Sequence, residues 1–65
     1  MEAMIEQVTY QQFKTLVLDN WLKRGEVRMK ALNKNVIRFN DLQGVPCAEC
    51  YVGIDNRDDV YYIIH

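Results

Sequence analysis

The sequence of 65 residues predicts an α+β fold, one N-terminal helix packed on a roughly four-stranded antiparallel sheet made of two β-hairpins. Three observations carry this expectation. Apolar residues recur at helical spacing between Tyr10 and Arg24. From Val27 to Asn40 the period drops to two, interrupted by Asn33-Lys34-Asn35. The period is two again from Cys50 to Ile64, interrupted by Asp55-Asn56-Arg57-Asp58-Asp59.

The helix has start and stop signals. Thr9 followed by Gln12 fits a capping box, and Val8 with Phe13 suits a hydrophobic staple. Gly25 supplies the stop, with Lys23 and Arg24 in the last turn where the helix dipole favours cations. Residues 10–24 are therefore expected to be helical. At 100° per residue, Tyr10, Phe13, Leu16, Val17 and Trp21 share one face. Thr15, Asp19 and Lys23 share the opposite one, with Asp19 and Lys23 spaced as an ion pair. Leu18 and Leu22 make the apolar arc wider than one covered face needs. Either Met4, Ile5 and Val8 fold over the helix, or a partner touches it. A short strand in residues 3–8 is compatible with the pattern but is not counted in the expected sheet.

In the first hairpin, a three-residue loop with Asn35 in the left-handed conformation pairs Lys30 with Arg38 and Met29 with Phe39. That register sends Met29, Ala31, Ile37 and Phe39 to the core side and Arg28, Lys30 and Arg38 outward. A two-residue loop would mix the two sets, and register follows such sorting. Asn40 to Pro46 reads as a loop, with Leu42 and Val45 available to anchor it. In the second hairpin, Ile54 opposite Val60 brings Val52 to Tyr62, Cys50 to Ile64 and Glu49 to His65. Tyr61 then covers Gly53, a favourable strand pair. The helix is thus expected to cover Val27, Met29, Ile37, Phe39, Val52, Ile54, Val60 and Tyr62.

The uncovered side of that sheet has two unlike halves, Arg28, Lys30 and Arg38 on one and Tyr51, Tyr61 and Ile63 on the other. Residues 23–38 hold six of the chain's eight cations against Glu26 alone, although the net charge is −1. Lys30 facing Arg38 is unfavourable in an antiparallel pair, so this face needs compensation. Three readings supply it. Glu49 or Asp41 sits between the cations, or the cations track the phosphates of a single-stranded nucleic acid whose bases stack on the tyrosines. Alternatively, the face binds protein, since interfaces favour tyrosine and arginine. The third is preferred over nucleic acid, because no RNP string, Gly-x-x-Gly clamp or helix-turn-helix is present. Opposite-sign rims, the basic hairpin and the acidic turn 55–59, suit a homodimer. The expected partner-binding residues are Arg28, Lys30, Arg38, Tyr51, Tyr61 and Ile63.

Reactive motifs are few. Cys47-Ala48-Glu49-Cys50 is a C-x-x-C, but zinc needs two more ligands and His65 is the one histidine. A redox pair needs a helix start behind the first thiol, and this motif leads into a strand. Structural thiols are the preferred reading, with metal and redox roles behind it. Glu49 and His65 read as a terminal cross-strand pair rather than an acid–base couple. Asp55, Asp58 and Asp59 lack calcium-loop spacing and read as turn chemistry. The expectation is a protein that is not an enzyme and carries no metal or other cofactor.

A chain of this length makes one domain, residues 1–65, and hides only about 60% of its unfolded surface. Its core supplies roughly 3–5 kcal/mol. The start, Met1-Glu2-Ala3-Met4-Ile5-Glu6, has no basic region or long apolar stretch, so it does not read as a secretory signal. The sequence reads as a complete small cytoplasmic protein with no membrane partner. Its expected function is that of a small regulator or inhibitor that binds another protein, with single-stranded nucleic-acid binding as the alternative.

Overall fold

The computed structural model describes residues 4–65. The helix packs on an antiparallel sheet, but the sheet has five strands rather than four, in the order β1-β5-β4-β3-β2. The strands are β1, Ile5–Val8; β2, Val27–Ala31; β3, Val36–Asp41; β4, Pro46–Tyr51; and β5, Val60–Ile64. The added strand is β1. Rather than folding over the helix, it lies beside β5 as an edge, with Ile5 opposite Ile64 and Val8 opposite Tyr61. Met4 and Ile5 consequently remain exposed.

The capping box forms as expected. Thr9 Oγ1 accepts from the Gln12 amide at 3.1 Å, and Gln12 Oε1 accepts from the Thr9 amide at 2.9 Å. One α-helical turn, α1, Tyr10–Phe13, follows and then continues as a π-helix over Lys14–Leu22. The wider π turn explains the wide apolar arc. Residues four and five apart now fall on one side, so Phe13, Val17, Leu18 and Leu22 all reach the core. The same geometry replaces the expected Asp19–Lys23 pair. Lys14 Nζ instead meets Asp19 at 2.7 Å, five residues along.

Gly25 ends the helix with φ +75°. Its amide donates to Leu22 O at 3.1 Å and the Glu26 amide donates to Trp21 O at 2.8 Å, the two bonds of a Schellman motif. A methyl group added at Gly25 would meet nothing within 4 Å, so the left-handed backbone alone penalises alanine there. Gly25→Ala is expected to lower unfolding free energy by about 1 kcal/mol, read from urea denaturation. An unchanged midpoint would contradict this cap.

The first hairpin has the expected register, with Lys30 opposite Arg38 and Met29 opposite Phe39. Its loop closes differently. Asn56 is the one non-glycine residue with positive φ among the described residues, so Asn35 is not left-handed. Instead, Asn33 Oδ1 accepts from the Asn35 and Val36 amides at 2.8 and 3.0 Å. That frees the Asn35 side chain to donate to Val52 O and Gly53 O at 2.9 and 3.1 Å, tying the two hairpins together. Leu42 and Val45 are exposed and anchor nothing; Asp41 Oδ1 holds their turn by accepting from the Gln43 and Val45 amides.

The second hairpin departs from expectation. Val60 lies opposite Tyr51, not Ile54, and Tyr61 lies opposite Cys50. The shift is three residues, and an odd shift turns one strand's side chains to the other face. Tyr61 and Ile63, expected on the open face, therefore lie beneath the helix. Val60 and Tyr62, expected beneath it, point away. The core comprises Phe13, Val17, Val27, Phe39, Ala48, Cys50 and Ile63, all buried. Phe13 centres an aromatic cluster, 5.4 Å from the Phe39 ring and 5.1 Å from Tyr61. Met29, expected in the core, is 57% exposed because cover along β2 stops at Val27, and every residue from Arg28 to Ala31 is exposed.

Candidate functional site

The face away from the helix carries Arg28 and Lys30 from β2, Arg38 from β3, Glu49 and Tyr51 from β4, and Val60, Tyr62 and Ile64 from β5. The cross-strand registers put Arg38 beside both Lys30 and Glu49, and Glu49 beside Tyr62. Glu49 is the pivot. Its Oε2 accepts from Arg38 Nε at 2.7 Å, and its Oε1 accepts from the Tyr51 hydroxyl at 3.4 Å. Its side chain is only 13% exposed, against 37% for Arg38. The Tyr51 and Tyr62 rings meet edge to face, 5.7 Å apart with planes at 89°. This arrangement offsets only the Arg38 half of the Lys30–Arg38 repulsion, since the Glu49 carboxylate on β4 engages Arg38 and not Lys30.

Beyond this row, the connection from Val52 to Asp59 curls over the same face. The Gly53 amide donates to Asp59 Oδ1 at 3.1 Å, and Gly53 and Asn56 both take positive φ, which bends the chain. A groove of about 410 Å³ results, lined by Ile5, Glu49, Tyr51, Ile54, Arg57, Asp58, Val60 and Tyr62. It joins apolar side chains, two phenols and charges of both signs. A second concavity of about 480 Å³ lies between the helix and the β1–β5 end of the sheet. There Glu6 and His65 meet at 2.9 Å, in place of the expected Glu49–His65 pair.

Of the six expected partner-binding residues, Arg28, Lys30, Arg38 and Tyr51 share the open face. Tyr61 stacks against Tyr10 and Phe13 instead, and Ile63 is 3% exposed. Sequence reasoning missed Tyr62, Val60, Ile5 and Arg57 as groove residues. The one available signal was Gly53 with Asn56, which together mark a longer turn than residues 55–59.

Cys50 is buried beneath the helix. Cys47 falls at the irregularity between Asn40–Pro46 and Phe39–Ala48, where the bulge leaves it unopposed and packed against the core. Among the described residues no group of three or more His, Cys, Asp and Glu side chains is placed to hold a metal ion. Burial pushes both thiols above their ordinary 9.0. The Glu49 carboxylate raises the Tyr51 hydroxyl above 10.0, and burial raises that of Tyr61. Each fold-raised pKa favours the neutral acid in the folded state. That stabilisation is complete below the unfolded-state values and is lost as pH rises through the folded ones. Thermal melts are therefore expected to hold steady to about pH 8 and to fall progressively above about pH 9. A melting temperature that rises with pH above that range would contradict the burial of the two thiols and Tyr61 and the Glu49–Tyr51 contact.

Comparison with known proteins gives no match: no family model, no curated protein and no solved structure is significantly similar to this chain.

Proposed function

We propose that the chain is a small non-enzymatic protein-interaction module, of the regulator or inhibitor kind, that binds a partner protein in the cytoplasm through its open sheet face. The observation that carries this reading is the row Arg38–Glu49–Tyr51–Tyr62 running into the groove over Ile5 and Val60. Tyrosine and arginine dominate binding energy at protein interfaces because they combine large apolar area with a polar end. Here both residue types are held by neighbours, which lowers the entropy lost on binding. Homodimerisation through this face is the simplest form of the reading.

Single-stranded nucleic acid is the second reading, favoured by Arg28, Lys30 and Arg38 sharing a face with Tyr51 and Tyr62. It is the weaker one because Arg38 is engaged by Glu49, which would also repel phosphate.

The test compares the wild type with Tyr51→Ala/Tyr62→Ala by sedimentation and by affinity capture from the native host. Expected is loss of self-association, or of a specific retained protein, with an unchanged circular dichroism spectrum. Retention of every interaction by the double variant would overturn the reading. Salt-sensitive binding of a fluorescent oligonucleotide that Lys30→Glu weakens would replace it with the second.

A further inference from the structure

Among the described residues the sheet ends at β2, and no strand pairs with its outer edge. From Arg28 to Ala31 every residue is exposed, so neither sheet face is covered there. The Leu32 amide donates to Val36 O at 2.9 Å, which sets the phase of the ladder, with residues 32 and 36 at a hydrogen-bonding position. By antiparallel alternation Lys30–Arg38 and Arg28–Asn40 are also bonded pairs, so the amides and carbonyls of Val27, Met29 and Ala31 point outward. Side chains alternate along the same edge. Arg28 and Lys30 project on the open face, and among the described residues neither has a carboxylate within ion-pair distance. On the other face Met29 presents an uncovered apolar side chain.

We infer that β2 is the docking edge for an extended acidic segment of a partner protein, which adds as a sixth strand. The segment places carboxylates beside Arg28 and Lys30 and an apolar residue beside Met29, while its main chain bonds to Val27, Met29 and Ala31. Strand addition draws affinity from the main chain and specificity from alternate side chains. Charge decides the occupant. Two copies of β2 paired about Met29 would set Arg28 of one against Lys30 of the other, which is repulsive. An acidic strand instead relieves the Lys30–Arg38 crowding left by a Glu49 that reaches only Arg38. The inference deepens the interaction-module reading and rests on it, but it uses an edge that excludes Tyr51 and Tyr62.

The experiment titrates the isotope-labelled protein with a short blocked peptide alternating glutamate with valine. Expected are shifts and exchange protection at the Val27, Met29 and Ala31 amides, weakening with added salt. Arg28→Glu/Lys30→Glu should lower affinity by about tenfold or more and should bind the matching lysine–valine peptide instead. Tyr51→Ala/Tyr62→Ala should bind the acidic peptide normally, so this edge and the tyrosine face fail separately.

Lysines on sheet edges also serve to repel unwanted pairing. If that is their whole role, the acidic peptide leaves the three amides unmoved and the inference falls. It falls equally if an oligonucleotide binds the cations without protecting those amides. Self-association of the pure protein that is lost in Arg28→Glu/Lys30→Glu would assign the edge to a second copy's β1, and would overturn the acidic partner.

Discussion

Phe13→Ala is expected to leave the protein largely unfolded at room temperature. Phe13 is 1% exposed and touches both halves of the molecule, with its ring against Phe39 from the first hairpin and Tyr61 from the second. Truncating a buried phenylalanine costs about 3–5 kcal/mol, through lost transfer energy and the cavity left behind. A core of this size supplies roughly the same amount. The two quantities cancel, so the folded population collapses rather than declines. Tyr10→Ala is the control on the same helical turn. Tyr10 is 51% exposed and stacks only on Tyr61, 5.3 Å away, so its loss should cost about 1 kcal/mol. Circular dichroism with urea titration reads both. A cooperative Phe13→Ala transition near the wild-type midpoint would mean that the helix is not seated on the sheet as described.

Adjacent residues at the C-terminus should behave oppositely. Ile63 is 3% exposed beneath the helix, opposite Ala48, which is itself fully buried. Ile64 faces the open side beside Ile5. Ile63→Ala is expected to cost about 2–5 kcal/mol and Ile64→Ala under about 1.5 kcal/mol. For a domain of this size each kcal/mol moves the melting temperature by roughly 4–8 °C, so Ile63→Ala should melt below Ile64→Ala, by roughly 10–20 °C for costs in the middle of those ranges. Equal melting temperatures, or a reversed order, would mean that β5 shows its other face to the helix.

Local chemistry made half of this molecule legible and long-range contacts hid the rest. The capping box at Thr9 and the glycine stop at Gly25 involve residues a few positions apart, and both form as the residues imply. The first hairpin sorts cations from apolar residues under one register only, so Lys30 had to face Arg38. The second hairpin offers apolar or aromatic residues on both faces, Val60, Tyr62 and Ile64 on one and Tyr61 and Ile63 on the other. Hydrophobic sorting therefore cannot choose its register. What chooses it is remote: Asn35 fastens the Val52 and Gly53 carbonyls, 17 and 18 residues away in the chain, and Asp59 holds the Gly53 amide. These bonds take Val52 and Ile54 out of the expected strand. β1 was obscured for a similar reason, since four residues have little pattern until β5 is present to pair with them.

The candidate site divides in the same way. The basic part was readable because Arg28, Lys30 and Arg38 lie on the well-specified hairpin. The aromatic part was half readable: Tyr51 belongs to it, but its companion is Tyr62 rather than Tyr61. The role of Glu49 as the bridge between the two parts depends on β3, β4 and β5 lying side by side.

The face assignment of the tyrosines underlies both the core and the proposed binding surface, and aromatic proton contacts in solution test it directly. With Tyr61 beneath the helix and Tyr62 on the open face, nuclear Overhauser effects are expected from the Tyr61 ring to Phe13 and Tyr10, and from the Tyr62 ring to Tyr51. Contacts from Tyr62 to Phe13, or from Tyr61 to Gly53 across the hairpin, would exchange the two faces and contradict that assignment.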